Sequence, residues 1–239
     1  MNWLAALIRL GKPALGEQQR AALRSYRLLE RPSLDAQAAT QRAVVVDVEA
    51  SGLDPRRDRL LSIGAIGVLG GLARYAETFE VVLRQARPSE THNILVHGIG
   101  GSAQLAGREA AEGLLDFLAF AGKAPLVAFH ADFDRILVER AIAPALGIKP
   151  GNLWLDLALL APALFPDQPS GARTLDDWLR RFGIGNYARH NALADALATA
   201  QLLLATLAEA GRQGLVTWAQ LARLQEGQRW LARGRRVFS

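Results

Sequence analysis

The chain has 239 residues, of which 50% are hydrophobic and 21% charged, so it is long enough to bury one sizeable core and is not disordered throughout. It contains no cysteine, which excludes a disulfide framework, thiolate metal sites and cysteine nucleophiles, and which fits a reducing compartment. The net charge is +5, from 28 basic and 23 acidic residues.

This charge is unevenly distributed. The segment up to Arg42 carries a net +4 and the segment from Gly211 onward a net +5, which leaves −4 for the residues between them. A basic frame around an acidic centre is typical of an enzyme that attracts a polyanion and holds metal ions with carboxylates. The alternative is that the arginines only solvate helices, and charge alone does not decide between the two.

The apolar stretches of the chain are short. Arg, Asp or Gly interrupts each of them well before the ~18 residues of a membrane span, and the first apolar run has no basic residue before it, unlike a secretory signal. We therefore expect a soluble, cytoplasmic protein with no membrane partner.

The elements fall into three parts along the chain. Residues 1–42 hold one helical pattern, at 16–30, and form an appendage. The main domain, 43–210, begins with three β-rich runs at 43–51, 59–71 and 73–85, whose short connections favour an antiparallel meander.

After Pro88 the pattern becomes mostly helical. An apolar strand is expected at 125–132, and the segment 152–160 is ambiguous between a buried strand and a short helix. Helices are expected at 108–122, 133–147, 174–183, 191–211 and 216–236.

The last of these helices lies in a C-terminal extension, 211–239, which we expect to pack on or near the core. Trp218, Leu221, Leu224, Trp230 and Leu231 recur near helical spacing, which favours packing. A partner-binding helix and a phosphate-contacting arm are the alternatives.

Asp47 and Glu49 stand at alternate positions of a strand made otherwise of valines, so both carboxylates lie on one face. Two carboxylates there repel each other unless a cation or several donors neutralise them. A divalent cation with oxygen ligands is the natural partner. The alternative is an edge strand with both acids facing water.

Two further segments place acids near helix starts. In the first, Asp134 and Asp132 compete as ligands, and either could instead serve the helix macrodipole. In the second, His190 precedes Asp195 by five residues, about 140° of helical rotation, so His190 is expected in the loop and Asp195 on the helix. A loop histidine suits a base that takes a proton from water.

Together these segments resemble the motifs of the DEDDh 3′–5′ exonucleases, the family typified by the proofreading epsilon subunit of bacterial DNA polymerase III. The first motif, D-x-E-T-T-G-L-D, resembles residues 47–54; the second, H-N-A-x-F-D, resembles 129–134 and selects Asp134 over Asp132. The third, H-x-A-x-x-D-A, resembles 190–196. A further V-H-G-I stands at 96–99.

Order and spacing agree over roughly two-thirds of the chain. A sister group has Tyr four residues before the last Asp, where this chain has Asn191, so the histidine branch is favoured. Ala50 replaces the usual first threonine, and His130 replaces asparagine. These departures concern nucleotide preference more than catalysis.

The resemblance implies a site and a mechanism. Asp47, Glu49, Asp134 and Asp195 would hold two Mg²⁺ or Mn²⁺ ions about 3.5–4 Å apart, and His190 would accept a proton from the attacking water, releasing nucleoside 5′-monophosphates.

The resemblance also implies residues that meet the substrate. His97 and Ile99 would lie against the terminal sugar and base, Ala50 stands in the neighbourhood that contacts the terminal nucleotide, and Phe133 would support the second motif.

The implied substrate is the 3′ end of single-stranded DNA, in proofreading or repair, with a DNA polymerase as a possible partner. Short RNA ends are the alternative substrate, and a non-catalytic polymerase-accessory module that binds nucleic acid is the alternative class. The implied fold is ribonuclease-H-like: a mixed α/β sheet of five strands, the first three antiparallel, flanked by helices.

Overall fold

A computed structural model describes residues 15–166 and 174–237. One five-stranded sheet, in the order β3-β2-β1-β4-β5, organises the fold. Its strands are β1 (Ala43–Ala50), β2 (Leu60–Leu69), β3 (Leu72–Val82), β4 (Leu126–Ala128) and β5 (Trp154–Asp156).

The pairing directions confirm the predicted ribonuclease-H-like sheet. β1, β2 and β3 form an antiparallel meander, and β4 and β5 add to β1 in parallel. The carboxyl ends of β1, β4 and β5 therefore lie at one edge of the sheet, where the segments after them meet.

Helices cover both faces of the sheet. In chain order they are α1 (Glu17–Leu28), α2 (Thr91–His97), α3 (Gly101–Ala106), α4 (Ala110–Ala121), α5 (Ala131–Leu146), α6 (Leu157–Leu164), α7 (Leu175–Phe182), α8 (Ala192–Arg212) and α9 (Trp218–Val237). The ambiguous segment 152–160 contains both candidates, since β5 ends at Asp156 and α6 begins at Leu157. Asp156 makes this switch by accepting a hydrogen bond from the N–H of Ala158, 2.9 Å away.

Alternation along β1 divides the core into two layers. Val44, Val46 and Val48 pack toward the α1, α4 and α5 side, whereas Val45 packs toward the side of α6, α7, α8 and α9. Asp47 shares the face of Val45, so the acids of β1 lie on the α8 side of the sheet.

Helix α8 lies across β1 and β2. It has the length and hydropathy of a membrane span, but half of that window is buried inside the protein. Ala196, Ala200 and Leu203 are buried against the sheet, so its apolar character is that of a core helix.

Helix α9 begins in the core and ends on the surface. Trp218 and Leu221 are almost fully buried, whereas Trp230 is 75% exposed and Leu231 46%. The packing expected from the spacing of these side chains therefore holds only for the first turns of the helix.

Candidate active site

A cleft of about 690 Å³ opens at the carboxyl ends of β1 and β4. Its acidic and basic lining residues come from three separated parts of the sequence. They are Asp47, Glu49, His130, Asp134, Arg189, His190 and Asp195, with apolar walls from Val48, Leu53, Phe129, Phe133 and Leu175, and with Thr174.

Three carboxylates meet in this cleft. Oxygen atoms of Asp47, Glu49 and Asp195 all lie within 4.8 Å of one another. Asp47 and Glu49 come from one face of β1, as their alternation predicts, and Asp195 reaches them from the first turn of α8.

The start of α8 fixes where Asp195 stands. Asn191 caps the helix by accepting a hydrogen bond from the N–H of Ala194, 2.9 Å away. Gly64 of β2 lies opposite Asp47, and a Cβ atom there would overlap the backbone of Ala192. Absence of a side chain at Gly64 therefore allows α8 to rest on the sheet beside Asp47.

Asp134 completes the acidic set from the first turn of α5. It is only 4% exposed and lines the cleft. Its competitor Asp132 is exposed and forms ion pairs with Arg135 and Arg229, each at 3.1 Å. The geometry therefore favours Asp134 as the acid of this segment.

Two side chains that the sequence patterns did not single out donate hydrogen bonds to the carboxylate of Asp195. Arg189 forms an ion pair with its Oδ2 and Asn186 donates to its Oδ1. Arg189 also lies 2.6 Å from Asp176 at the start of α7. Arg189 adjoins the third motif, but its link to Asp176 arises only in the fold.

His190 lies in the loop before α8, as its spacing from Asp195 requires. It is exposed, lines the cleft, and has a left-handed backbone with φ of 63°. Its backbone N–H donates to Asp195 Oδ2 at 3.1 Å, and this contact helps to hold a conformation that is unfavourable for a residue other than glycine.

Burial and mutual repulsion make the metal-free cluster unfavourable in its charged form. Burial raises the pKa of Asp47 well above its ordinary range, and the charges of Asp134 and Asp195 raise it further. Burial likewise raises the pKa of Asp134. Burial and the charge of Asp195 raise the pKa of Glu49 to about 8.

These features fit a divalent cation. The close oxygens are the ligands that Mg²⁺ and Mn²⁺ prefer, and Arg189 supplies only one positive charge to the buried acids. The set can therefore hold a metal ion through Asp47, Glu49 and Asp195, with Asp134 on the same cleft wall.

The four residues assigned to substrate contact occupy different places. Phe133 lines the cleft, whereas His97, Ile99 and Ala50 are not among its lining residues. His97 is 6% exposed, and its Nδ1 accepts the N–H of Ile99 at 3.0 Å, so it shapes the turn after α2.

The turn that follows β1 presents an apolar side chain that the motif alone did not single out. Leu53 is 93% exposed yet lines the cleft. Asn93 of α2 donates to the carbonyl of Ser51, which fastens α2 to this turn. Leu53 therefore offers an apolar surface to a ligand at this end of the cleft.

Comparison with known sequences agrees with this geometry. The profile of the family described as Exonuclease matches residues 44–203. DNA polymerase III PolC-type of Thermotoga maritima is 27% identical over 183 residues, which are 77% of this chain but only 13% of that protein. DNA polymerase III subunit epsilon of Aquifex aeolicus is 27% identical over 187 residues, covering 77% of this chain and 90% of the relative.

Solved structures share the fold. Escherichia coli Exonuclease I in complex with a dT13 oligonucleotide superposes with a TM-score of 0.64 at 18% identity, over 73% of this chain and 42% of that one. Exonuclease X in complex with 5′ overhanging duplex DNA superposes with a TM-score of 0.61 at 19% identity, over 77% of this chain and 99% of that one.

Proposed function

Because this chain belongs to the exonuclease family, we propose that it is a metal-dependent 3′–5′ exonuclease that releases nucleoside 5′-monophosphates from DNA 3′ ends. The observation that carries the proposal is the meeting of Asp47, Glu49, Asp134 and Asp195 in one open cleft with His190 at its rim. Residues so far apart in sequence meet there at a net energetic cost, which a bound cation would offset.

The four acids would hold two Mg²⁺ or Mn²⁺ ions. When bound, such ions neutralise charge on the scissile phosphate and lower the pKa of water. Arg189 would orient the Asp195 carboxylate through the contact with Oδ2, and Asn186 would do so through Oδ1. These contacts leave the acids ordered before substrate arrives.

His190 would act as the base. A ring nitrogen takes the proton of the attacking water as the new P–O bond forms, and the bond from phosphorus to the 3′ oxygen breaks in line. The leaving oxygen takes a proton from solvent. The backbone contact with Asp195 fixes the loop while the exposed ring stays free to reach the water.

The terminal nucleotide would lie at the Leu53 end of the cleft. Leu53 and Phe133 offer apolar surface to a base or sugar. Ala50, His97 and Ile99 would shape this end from behind, through the β1 turn and α2. DNA is favoured as substrate by the polymerase III relatives and by the DNA in the two exonuclease complexes.

The test is digestion of 5′-labelled single-stranded DNA and RNA of one sequence by the full chain, with Mg²⁺, Mn²⁺ or EDTA. We expect a descending ladder from the 3′ end of DNA, slower loss of RNA, and no reaction in EDTA. Asp134→Asn should lower the rate by about 10³-fold or more, the scale seen when a group acting on the reacting phosphate is removed.

Asp116→Asn is the matched control, because Asp116 is a surface acid of α4 paired with Arg108. It should retain the wild-type rate. Digestion in EDTA, or full activity of Asp134→Asn, would contradict the mechanism, and faster loss of RNA would overturn the choice of DNA.

A further inference from the structure

A second cavity, of about 400 Å³, adjoins the active-site cleft at the carboxyl ends of β4 and β5. It shares His130 and Phe133 with the lining of the cleft. Its far wall consists of Arg229, Ala232 and Arg233 of α9. An extended ligand that occupies the cleft can therefore continue along α9.

Helix α9 is held in a fixed register against this edge of the sheet. Gln225 is 3% exposed, and its side-chain amide bonds to both ends of β5. It donates to the carbonyl of Trp154 at 3.2 Å and accepts the N–H of Asp156 at 2.5 Å. Because residues four apart share a helix face, Arg229 and Arg233 follow Gln225 along the cavity.

The cavity lining contains two arginines, Arg229 and Arg233, and two acids, Asp132 and Asp156. Asp156 is 6% exposed and accepts the backbone N–H groups of His130 and Ala158. Asp132 is shared between Arg135 and Arg229, so one carboxylate serves two guanidinium groups. Arg233 forms no ion pair within the described part of the chain. Over its whole length α9 contains five arginines and one acidic residue.

An aromatic side chain stands beside these arginines. Trp230 is 75% exposed and lies three residues before Arg233, so the two are neighbours on the helix surface. Exposed aromatic rings interleaved with basic groups are the features that bind single-stranded nucleic acid, through stacking and phosphate contacts.

We propose that Arg229, Trp230 and Arg233, here called the α9 track, bind the single strand upstream of the 3′ end that lies in the cleft. The apolar Leu53 end of the cleft suits a terminal base, and the basic α9 end suits the phosphates that lead to it. The two arginines, about 6 Å apart along the helix, would contact phosphates, and Trp230 would stack on a base. Placing the 3′ end of the nucleic acid in the cleft rests on the proposed function, whereas binding of single-stranded nucleic acid to the α9 track does not.

The first experiment measures binding without hydrolysis. Anisotropy of 5′-fluorescein-labelled dT12 is recorded with the full chain in EDTA over a series of salt concentrations. R229A/R233A should bind about tenfold more weakly, and its slope of log K against log salt should be shallower by about 1.4, or 0.7 for each lost phosphate contact. The control R24A/R223A has the same charge change on exposed residues outside both cavities and should change the affinity less than twofold.

Two further measurements separate the track from the catalytic site. With metal, R229A/R233A should raise KM about tenfold for dT12 but leave hydrolysis of dT3 unchanged, because dT3 is too short to extend along α9. Tryptophan quenching is measured in a Trp3→Phe background, because Trp3 lies outside the described residues. Binding of dT12 should quench the fluorescence of this protein, and adding Trp230→Phe should abolish most of the quenching, since Trp154, Trp178 and Trp218 are buried.

An unchanged salt slope in R229A/R233A, an equal loss on dT3 and dT12, or full quenching in Trp230→Phe would overturn the proposal. R229A/R233A should melt at the same temperature as the wild type, because Arg135 still pairs with Asp132. That result excludes misfolding as the cause of weaker binding. If the wild type hydrolyses neither oligonucleotide while binding still depends on the two arginines, the proposed function fails and the α9 track stands.

Discussion

Gly64 lies directly opposite Asp47 in the antiparallel pairing of β1 and β2. The backbone of Ala192 and Leu193, at the start of α8, passes over Gly64 so closely that no Cβ atom fits between them. The acid of β1 and the acid of α8 therefore meet because one residue of the intervening strand has no side chain.

Gly64→Ala should separate Asp195 from Asp47 and Glu49. The added methyl group meets backbone, which cannot move aside as a flexible side chain can, so the free energy of unfolding should fall by about 1–3 kcal/mol. A displacement of about 1 Å at the metal ligands should lower kcat about 100-fold. Thermal melting and steady-state hydrolysis measure the two effects.

Gly227→Ala is the matched control for that variant. Gly227 lies inside α9, its added Cβ would meet nothing within 4 Å, and its φ is not positive. Alanine there should raise the free energy of unfolding by about 0.5–1 kcal/mol and leave kcat unchanged. A Gly64→Ala protein with wild-type stability and kcat would show that α8 does not need this close approach.

Arg189 forms an ion pair with Asp195 and so offsets part of the negative charge of the acidic cluster. Arg189→Gln should therefore increase the electrostatic repulsion among the acids. The metal-free protein should lose about 1–3 kcal/mol of unfolding free energy, because the buried carboxylate of Asp195 loses its ion pair with the partly exposed Arg189. Added Mn²⁺ should then raise the melting temperature of the variant more than that of the wild type, since the ion replaces the lost charge.

Arg108→Gln removes an arginine from exposed ion pairs with Glu112 and Asp116 and serves as the control. It should change stability by less than about 0.5 kcal/mol, with or without Mn²⁺. An equal response of both variants to Mn²⁺ would show that Arg189 does not neutralise the cluster.

The sequence predicted the sheet because the sheet depends on local patterns, and the elements that carry the acids follow from the same patterns. Valine alternation around Asp47 and Glu49 determines a strand and a shared face, and the spacing of His190 and Asp195 determines a loop and a helix start. The contacts of Arg189 and Gly64 depend instead on which elements pack together, and no local pattern records that Arg189 pairs with Asp176 or that α8 rests on Gly64.

The same distinction explains the two ends of α9. Trp218, Leu221 and Gln225 form the face of α9 that is buried. Trp230 stands twelve residues after Trp218, which is about 120° around the helix, so it lies off that face and is exposed. Approximate helical spacing identifies a helix, whereas packing decides which of its faces is buried. Likewise, the V-H-G-I pattern does not record that the ring of His97 is buried, with Nδ1 bonded to the N–H of Ile99 and Nε2 3.3 Å from Ser89 Oγ.

The metal-free protein should lose stability as the pH rises. The pKa of Glu49 is about 8 in the fold against an ordinary 4.5, so between these values the folded chain binds the proton more tightly than the unfolded chain does. The free energy of unfolding therefore falls as pH rises through that interval, because the proton must leave a buried site. Asp47 and Asp134, whose pKa values are also raised, act in the same direction.

Glu49→Gln should flatten this dependence. In EDTA, the variant should be more stable than the wild type by about 1–3 kcal/mol at pH 8.5 and nearly equal to it at pH 5. Glu112→Gln changes an exposed acid of α4 and should leave the profile unaltered. A wild-type protein that gains stability between pH 5 and pH 8.5 in EDTA would contradict the raised pKa values.

Leu53 should contribute to substrate binding rather than to the chemical step. Its side chain is 93% exposed in the ligand-free cleft, and covering it with a base or sugar gains about 1–2 kcal/mol from apolar burial. Leu53→Ala should therefore raise KM about 5–20-fold and change kcat less than about twofold, because the contact is equal in the ground and transition states. Leu28→Ala, at an 83% exposed position on α1, should change neither constant. A fall in kcat with unchanged KM would instead mean that Leu53 positions the scissile phosphate.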